Sequence, residues 1–396
     1  MAKIGIYGGT FNPPHLGHIL AAKEFQRTLE LDRVVFVPAA LPPHKVLPPG
    51  SPDGQTRKHL LELAVQELPF AQVEDLELCR EGASYTVDTL RELRVKYPED
   101  QLYLCMGTDM FLSFDSWYQP EQICSMAKIA MAHRADAEEE KLQAMAESFR
   151  NKYGTTPELI GNDFLEVSST QVRRLLILGG AEDFLHPAVL AEIRANGLYG
   201  TGVNRKGLPF AQLKEESLSL HKDKRIPHVV GCSETARELA LIHGADPDDA
   251  ERAGILHDIT KALDGRDQLR LCEKYGIMIS DFDRKHTKLL HSVTGAAVAE
   301  HVFGENDAVV QSIRWHTSGK ADMTTLEKII YVADYMEPNR DFPGGEQLRE
   351  LAYSDLDAAV LMGLEMAVAH VRRQGAIVGK HSLEAIAFLT KGKERN

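Results

Sequence analysis

Two histidines three residues apart follow a pair of glycines near the start of the sequence, in YGGTFNPPHLGHIL (residues 7–20). Gly8 and Gly9 come directly after a short apolar run, and glycine lets the backbone turn tightly and approach a ligand closely. His15 is predicted to lie in a loop. His18 is predicted to lie in the first turn of a helix, where exposed N–H groups and the helix dipole favour phosphate. The segment therefore predicts a site that binds a phosphate and stabilises charge developing on it.

A second polar cluster stands much later in the chain, in EVSSTQVRRLL (residues 166–176). Ser168, Ser169 and Thr170 begin a predicted helix, and Arg173 follows one turn later. Hydroxyl groups and exposed N–H groups at a helix start suit phosphate oxygens, and an arginine can bind two such oxygens at once. Either motif alone is more often a plain turn or helix cap. The two motifs together favour nucleotide chemistry.

Histidines and aspartates of a different kind are spread over the second half of the chain. Asp258 and Asp334 lie in apolar helical stretches, where a carboxylate is costly unless it is paired or binds a metal ion. Imidazole and carboxylate groups suit Fe, Mn, Zn or Ni, and Asp258 is placed to bridge two such ions. In chain order the predicted ligands are His228, His257, Asp258, His291, His316 and Asp334.

Other histidines of this half are weighed against that set. His286 competes with His291 because both lie in HTKLLHS, and His291 is favoured because HSVTGAAVAEH resembles the helix start at which HD-domain proteins carry their third histidine. The remaining histidines are predicted to be structural or exposed: His221, His243, His301, His370 and His381.

Residues 1–200 alternate short apolar runs with helical patterns, which is typical of a doubly wound α/β sheet with parallel strands. Ligands of such open sheets bind at the carboxyl ends of the strands, where the glycine turn would lie. Strands are predicted at 3–7, 33–39, 101–107 and 128–133, and helices at 16–31, 57–68 and 86–97.

The periodicity changes after residue 200. Residues 201–220 are polar without a clear element, so a linker is predicted there. Residues 221–396 carry only helical patterns, which predicts an all-α domain. Gly244 and Gly304 stand where helix C-caps are expected.

Composition limits the class of protein. The formal net charge is −13 and the isoelectric point is about 5.7, which argues against unspecific nucleic-acid binding. Five cysteines without a CxxC pair suit free thiols in a reducing compartment. No signal-peptide core and no apolar run of about 20 residues is seen. A cytoplasmic protein without membrane or nucleic-acid partners is expected, and homo-oligomer formation is left open.

The first half resembles the nucleotidyltransferases that carry HxGH and a late SSTxxR motif, and most closely the bacterial nicotinate-nucleotide adenylyltransferase (NadD-type) family. The resemblance covers roughly residues 3–200 and implies a Rossmann-like nucleotidyltransferase domain. It implies that His15 and His18 act in catalysis. The implied ATP- and phosphate-binding residues are Gly8, Gly9, Thr10, His15, His18, Lys45, Ser168, Ser169, Thr170 and Arg173.

The same resemblance implies a nicotinate mononucleotide site. Trp117 would stack on the nicotinate ring, and backbone near Thr86 and Tyr118 would hold its carboxylate. The implied set is Ser84, Tyr85, Thr86, Gly107, Asp109, Trp117 and Tyr118. The implied reaction joins ATP, with Mg²⁺, to nicotinate mononucleotide and gives deamido-NAD and pyrophosphate.

The second half resembles the HD-domain phosphohydrolases, and specifically the YqeK-type family, from about residue 221 to about 375. That resemblance implies symmetrical cleavage of diadenosine tetraphosphate to two ADP with two transition-metal ions, Fe being favoured over Mn, Zn or Ni. Asp258 and Lys261 would be catalytic. The implied phosphate contacts are Arg225, Lys261, Thr317, Lys320 and Arg340.

Two alternatives stay open at the level of sequence. The folds could serve other nucleotide substrates, or the second half could be a regulatory or dimerisation module rather than an enzyme.

Overall fold

A computed structural model of the chain describes residues 1–41, 46–134, 139–162 and 167–393. The chain divides into two compact units. The first unit comprises residues 1–177 and 181–203, and the second comprises residues 178–180 and 204–396. The fold-class prediction is confirmed, because a parallel α/β unit precedes a helical one.

The first unit is built on one six-stranded sheet in which every neighbouring pair of strands is parallel, in the order β3-β2-β1-β4-β5-β6. Two of these strands, β3 and β6, were not predicted. The strand order reverses between β1 and β4, so the carboxyl ends of these two strands border the crevice where such sheets bind ligands. The strands are β1 Lys3–Gly9, β2 Arg33–Pro38, β3 Ala71–Val73, β4 Gln101–Gly107, β5 Lys128–Arg134 and β6 Glu158–Asn162.

Helices cover this sheet, and apolar side chains of both layers form its core. Ile6 of β1 and Leu104 of β4 are buried against helical residues such as Leu90 and Leu93. The helices of the first unit are α1 Leu16–Leu29, α2 Gly54–Val65, α3 Thr86–Lys96, α4 Thr108–Leu112, α5 Pro120–Met126, α6 Glu139–Tyr153, α7 Ser169–Leu178 and α8 Pro187–Ala195.

The second unit contains only helices and turns among its described residues. Gly244 and Gly304 end helical segments with φ of 72° and 71°, the left-handed conformation that a glycine C-cap provides. The helices are α9 Phe210–Leu220, α10 Ile226–His243, α11 Pro247–Leu256, α12 Gly265–Lys274, α13 Asp281–Lys285, α14 Leu290–Val298, α15 Asp307–Trp315, α16 Thr325–Met336, α17 Gly345–Ser354, α18 Leu356–Arg373 and α19 Lys380–Lys393.

The interpretation of residues 201–220 as a linker without structure is wrong, because helix α9 occupies half of that segment. Leu213 and Leu220 of α9 are buried, and they lie seven residues apart on one face of the helix. Arg205, which precedes α9, is also buried and pairs with Glu216 at 2.7 Å. The other faces of α9 carry mostly polar residues, so the apolar stripe is narrow in the sequence pattern. Residues 204–220 belong to the second unit.

The packing of α10 on α11 is set by one glycine. A Cβ added to Gly254 of α11 would lie 2.6 Å from the Cα and 3.0 Å from the N of Ser233 in α10. The two helix backbones therefore lie so close together at residue 254 that a side chain there would clash with α10. Of the predicted metal ligands, His228 lies on α10, and His257 and Asp258 directly follow α11.

Replacing Gly254 with alanine should destabilise the second unit, because the new methyl group meets backbone that cannot move aside. We expect the free energy of unfolding to fall by about 1–3 kcal/mol, measured by calorimetry as an earlier transition of this unit. Gly295→Ala in α14 is the matched control, since its Cβ would meet its nearest atom, the His257 carbonyl oxygen, at an ordinary 3.4 Å. Equal losses in both variants would contradict the prediction.

Candidate functional site

The glycine turn ends β1 at the edge where strand order reverses. Gly8, the residue before the last of β1, lies beside open space, since an added Cβ would meet no atom within 4 Å among the described residues. The same holds for Gly107 at the end of β4. A Cβ on Gly9 would instead touch the ring of Phe11 at 3.2 Å. Backbone groups of both strand ends, and of Thr10 after them, therefore border a crevice that a ligand can enter.

His15 and His18 form a stacked pair at the start of α1, with ring centroids 3.6 Å apart and planes 26° apart. The backbone N–H of His15 donates to Nδ1 of His18 at 3.1 Å. Because Nδ1 of His18 is an acceptor, the hydrogen of its neutral ring lies on Nε2. Burial and the neighbouring His18 lower the pKa of His15 well below the ordinary range. Nδ1 of His15 is buried without a hydrogen-bond partner in the described part of the chain.

The start of α7 is joined to the same loop. Oγ of Ser169 donates to the Pro13 carbonyl at 3.0 Å, and the guanidinium of Arg173 donates to the Asn12 carbonyl at 2.6 Å. Arg173 also donates to the Thr170 hydroxyl at 3.0 Å. Hydrogen bonds thus hold together the two motifs, which about 150 residues separate in the sequence.

Oγ of Ser168 caps this helix by accepting from the backbone N–H of Gln171 at 3.2 Å. Lys45, the other predicted phosphate contact of this half, lies outside the described residues.

Arg57 supports the glycine turn, and the sequence did not predict this role. Its side chain on α2 is 1% exposed and donates to the carbonyls of Thr10 at 2.5 Å and Ala39 at 2.8 Å. These carbonyls follow β1 and β2, so one buried guanidinium fixes both strand ends. No local signal distinguishes Arg57 from a solvated arginine on an amphipathic helix, because both of its partners are distant in sequence.

The residues predicted to hold nicotinate include an aromatic group at the starts of α3 and α5. Tyr85, which precedes Thr86 at the start of α3, lies with its ring 4.9 Å from that of Tyr118. Trp117 is half-buried and packs on Phe114 with ring centroids 5.2 Å apart. These faces can stack on a flat ring.

Two further residues of that set have different surroundings. Ser84 is buried, and its Oγ accepts from the backbone N–H groups of Ala40 and Leu41 at 3.2 and 3.4 Å, so it holds the loop after β2. Asp109 is exposed in the first turn of α4.

Four buried histidines of the second unit face one another through their Nε2 atoms. The Nε2 atoms of His228 and His257 are 3.2 Å apart, and those of His291 and His316 are also 3.2 Å apart. The structure brings His291 to this centre. His286 instead packs its ring on Phe282, with centroids 4.1 Å apart.

The other nitrogen of each of the four rings is already used. Nδ1 contacts a backbone carbonyl three residues earlier in three cases: His257 to Gly254 at 2.7 Å, His291 to Lys288 at 2.6 Å and His316 to Ile313 at 2.7 Å. Nδ1 of His228 contacts Oε1 of Glu337 at 3.1 Å. Carbonyl and carboxylate oxygens only accept, so each ring carries a hydrogen on Nδ1, and the neutral form of the ring has its lone pair at Nε2.

Asp258 lies between the two histidine pairs. Its Oδ1 is 3.3 Å from Nε2 of His291 and 3.7 Å from Nε2 of His316, whereas its Oδ2 is 3.6 Å from Nε2 of His257. Oδ1 is buried and makes no hydrogen bond within the described chain. Asp334 completes the first group, with Oδ1 3.1 Å from Nε2 of His228.

These residues fit a pair of divalent cations. Lone pairs of facing Nε2 atoms repel each other at 3.2 Å, and a carboxylate oxygen without a donor is costly to bury. Burial lowers the pKa of His257 to about 3, so its ring stays neutral, as metal ligation requires. One ion would be held by His228, His257, Asp258 and Asp334, and the other by Asp258, His291 and His316.

Three of the predicted phosphate-binding cations border this centre. Arg225 donates from Nε to Oδ2 of Asp258 at 2.7 Å, and Arg340 donates to Oδ1 of Asp334 at 2.8 Å. Nζ of Lys261 is 2.9 Å from Nε2 of His291, and burial lowers its pKa.

The other two predicted contacts have different partners. Lys320 pairs with Glu327 at 2.9 Å, and Thr317 donates to the Ser292 hydroxyl at 3.3 Å.

Within the described residues, no helix is both long enough and apolar enough to cross a membrane.

Comparison with family models gives one match in each half. The cytidylyltransferase-like model matches residues 6–175, and the HD-domain model matches residues 225–339.

Individual relatives match one half each. The "Probable nicotinate-nucleotide adenylyltransferase" of Borreliella burgdorferi is 36% identical over 203 residues, which are 51% of this chain and 99% of that protein. The protein of the same description from Pseudomonas syringae pv. tomato is 37% identical over 209 residues, 50% of this chain and 93% of that protein. A solved structure from Clostridium acetobutylicum, described as a predicted HD superfamily hydrolase involved in NAD metabolism, is 34% identical. It covers 46% of this chain and 98% of its own, with a TM-score of 0.45.

The buried, neutral His15 should make the first unit sensitive to acid. Its pKa in the folded chain is far below the value near 6.5 of an unfolded histidine, so only the unfolded chain gains the proton as pH falls through 6.5. The free energy of unfolding should therefore drop by about 1 kcal/mol between pH 6.5 and 5.5.

Urea unfolding followed by Trp117 fluorescence, in a Trp315→Phe background, measures this drop for the first unit. His15→Gln should lose that part of the pH dependence. The same drop with and without His15 would contradict the assignment.

Proposed function

Because the first half of this chain belongs to the nicotinate-nucleotide adenylyltransferase family, we propose that its first unit transfers the adenylyl group of ATP to nicotinate mononucleotide. A phosphate oxygen of the mononucleotide attacks the α-phosphorus of ATP, the bond to pyrophosphate breaks, and deamido-NAD forms. Mg²⁺ enters with ATP as part of the substrate. The observation that carries this proposal is the stacked His15–His18 pair at the carboxyl end of β1.

The chain's own groups would supply binding and charge stabilisation. His18 offers an Nε2–H donor whose tautomer is fixed by the backbone of His15. The start of α1 and the start of α7, with Arg173 beside it, add N–H groups and a positive charge around the transferred phosphate. Such prearranged donors act most strongly where charge develops in the transition state.

The aromatic group of Tyr85, Trp117 and Tyr118 supports a flat, aromatic acceptor. The indole of Trp117 remains partly accessible, and a nicotinate ring can stack on it. Backbone N–H groups at the start of α3, near Thr86, suit the ring carboxylate. An amide in place of that carboxylate would lose the charge-assisted hydrogen bonds.

For the second unit we propose metal-dependent, symmetrical hydrolysis of diadenosine tetraphosphate to two ADP. Divalent transition-metal ions bound at this centre, with Fe favoured over Mn, Zn or Ni, would activate water and neutralise phosphate charge. The observation that carries this proposal is the buried bridge of Asp258 between two pairs of Nε2 atoms. Arg225, Lys261 and Arg340 border the centre, and they can bind the phosphate chain of the substrate there.

Two alternatives change the substrate or the role. The same groups suit other nucleotides, which share the phosphoanhydride and differ in the base. A regulatory or dimerisation module would not need four histidines with their Nε2 atoms turned toward one carboxylate, and this arrangement favours catalysis.

Product chromatography on the full chain tests the transferase assignment. With ATP, nicotinate mononucleotide should give deamido-NAD faster than nicotinamide mononucleotide gives NAD, and equal rates would contradict the nicotinate preference. His18→Ala should lower transfer by about 10²–10³-fold, because a donor to the transition state is lost. Diadenosine tetraphosphate hydrolysis by the same variant should be unchanged.

The hydrolase assignment is tested with the metal-depleted full chain, resupplied with Fe²⁺ or Mn²⁺ and given diadenosine tetraphosphate. We expect ADP as the only nucleotide product, and Asp258→Ala should abolish its formation while leaving adenylyl transfer intact. His370→Ala is the control, because this exposed histidine contacts Gln374 rather than the centre. Metal binding without any hydrolysis would instead favour the regulatory alternative.

A further inference from the structure

Glu337 is a fully buried carboxylate directly behind one of the four histidines. Its side chain is 0% exposed and follows the last residue of α16. Oε1 contacts Nδ1 of His228 at 3.1 Å. Oε2 accepts from both the backbone N–H and the side-chain amide of Asn339, each at 2.8 Å. Both oxygens are thus occupied by donors, as a charged buried carboxylate requires.

The surrounding backbone is shaped to admit this carboxylate. A Cβ on Gly231 of α10 would lie 2.5 Å from Oε2 of Glu337 and 3.0 Å from Nδ2 of Asn339. The Asn339 amide also donates to the carbonyl of Pro227 at 3.0 Å, one residue before His228. The histidine and the carboxylate are therefore fixed against each other from both sides.

His228 differs in this respect from the other three histidines. Nδ1 of His257, His291 and His316 contacts an uncharged backbone carbonyl in each case. An anionic partner at Nδ1 makes Nε2 more electron-rich, so it strengthens the bond from Nε2 to a metal ion. The group of His228, His257 and Asp334 therefore has one more negative charge behind it than the group on the other side of Asp258.

That other side has an ammonium group close by. Nζ of Lys261 lies 2.9 Å from Nε2 of His291 and 3.8 Å from Oδ1 of Asp258. A second cation near these atoms must displace or repel this charge. Two guanidinium groups stand beside the first group, Arg225 on Oδ2 of Asp258 and Arg340 on Oδ1 of Asp334. The carboxylates of Asp334 and Glu337 balance these two charges, and each guanidinium contacts a carboxylate oxygen rather than a ligand nitrogen.

We infer that the two metal positions are unequal: Glu337 is a positioning residue that makes the position of His228, His257 and Asp334 the tight one. The position of His291 and His316 is the weak, exchangeable one. This inference rests on the metal-dependent function proposed for the second unit. A glutamine at 337 has the right shape, but its NH₂ group must face either the Nδ1–H of His228 or the donors of Asn339.

Titration of the metal-depleted full chain with Co²⁺, followed by its visible absorption and by calorimetry, tests the inference. The wild type should bind in two resolved steps. Glu337→Gln should weaken the tight step by 10–100-fold, the usual range for removing a partner of a ligating histidine, and should change the weak step by less than threefold. Lys261→Met should tighten only the weak step.

Glu305→Gln is the matched control. Glu305 is a buried carboxylate of the same unit that pairs with Arg252, so its replacement removes one buried negative charge elsewhere. Both of its steps should equal those of the wild type. Excess Co²⁺ should also restore the ligand-field spectrum of Glu337→Gln, a rescue that a merely misfolded centre would not permit.

The outcomes separate this inference from the function on which it rests. Two wild-type steps of equal affinity, or a Glu337→Gln variant that weakens both steps alike, would overturn the inference and leave the hydrolase proposal standing. Failure of the wild type to bind Co²⁺ at all would overturn both.

Discussion

The second unit depends on one constraint: Asp258 is a buried carboxylate, and within the described part of the chain its Oδ1 has no hydrogen-bond donor. Burying such a group is unfavourable by several kcal/mol unless positive charge accompanies it. Arg225 donates to Oδ2 of this carboxylate, whereas Oδ1 faces the Nε2 atoms of His291 and His316. A divalent cation between these atoms would bind Oδ1 and the facing Nε2 atoms together.

The ligand edge of the first unit places positive charge and hydrogen-bond donors with groups of the chain itself. Its ligand edge offers N–H groups, helix starts and two guanidinium groups, Arg57 and Arg173. Arg57 acts on the backbone: it donates to the carbonyls of Thr10 and Ala39, which directly follow β1 and β2. Because the net charge of the chain is −13, an anionic ligand at this edge would be attracted by these local donors and not by the overall field.

Sequence patterns predicted the elements that carry strong periodicity. The four longest strands are continuous apolar runs, whereas β3 has only three residues and β6 lies at the sheet edge, so neither stands out. Helix α9 was missed because only a narrow stripe of it is apolar. The cluster of histidines and aspartates in the second unit was predictable because carboxylates in apolar helices require an explanation. Arg57 and Glu337 were not, because their partners Thr10 and His228 lie 47 and 109 residues away.

The difference between local and distant partners of Nδ1 affects how easily each histidine of this centre can be gained or lost by substitution. His257, His291 and His316 each contact through Nδ1 the carbonyl three residues earlier, so the local helical turn already contains the orienting group and one substitution can install each histidine. His228 instead requires Glu337, Asn339 and Gly231 together. Replacing the surroundings of His228 therefore requires several coordinated substitutions. His257, His291 and His316 can each be exchanged one residue at a time.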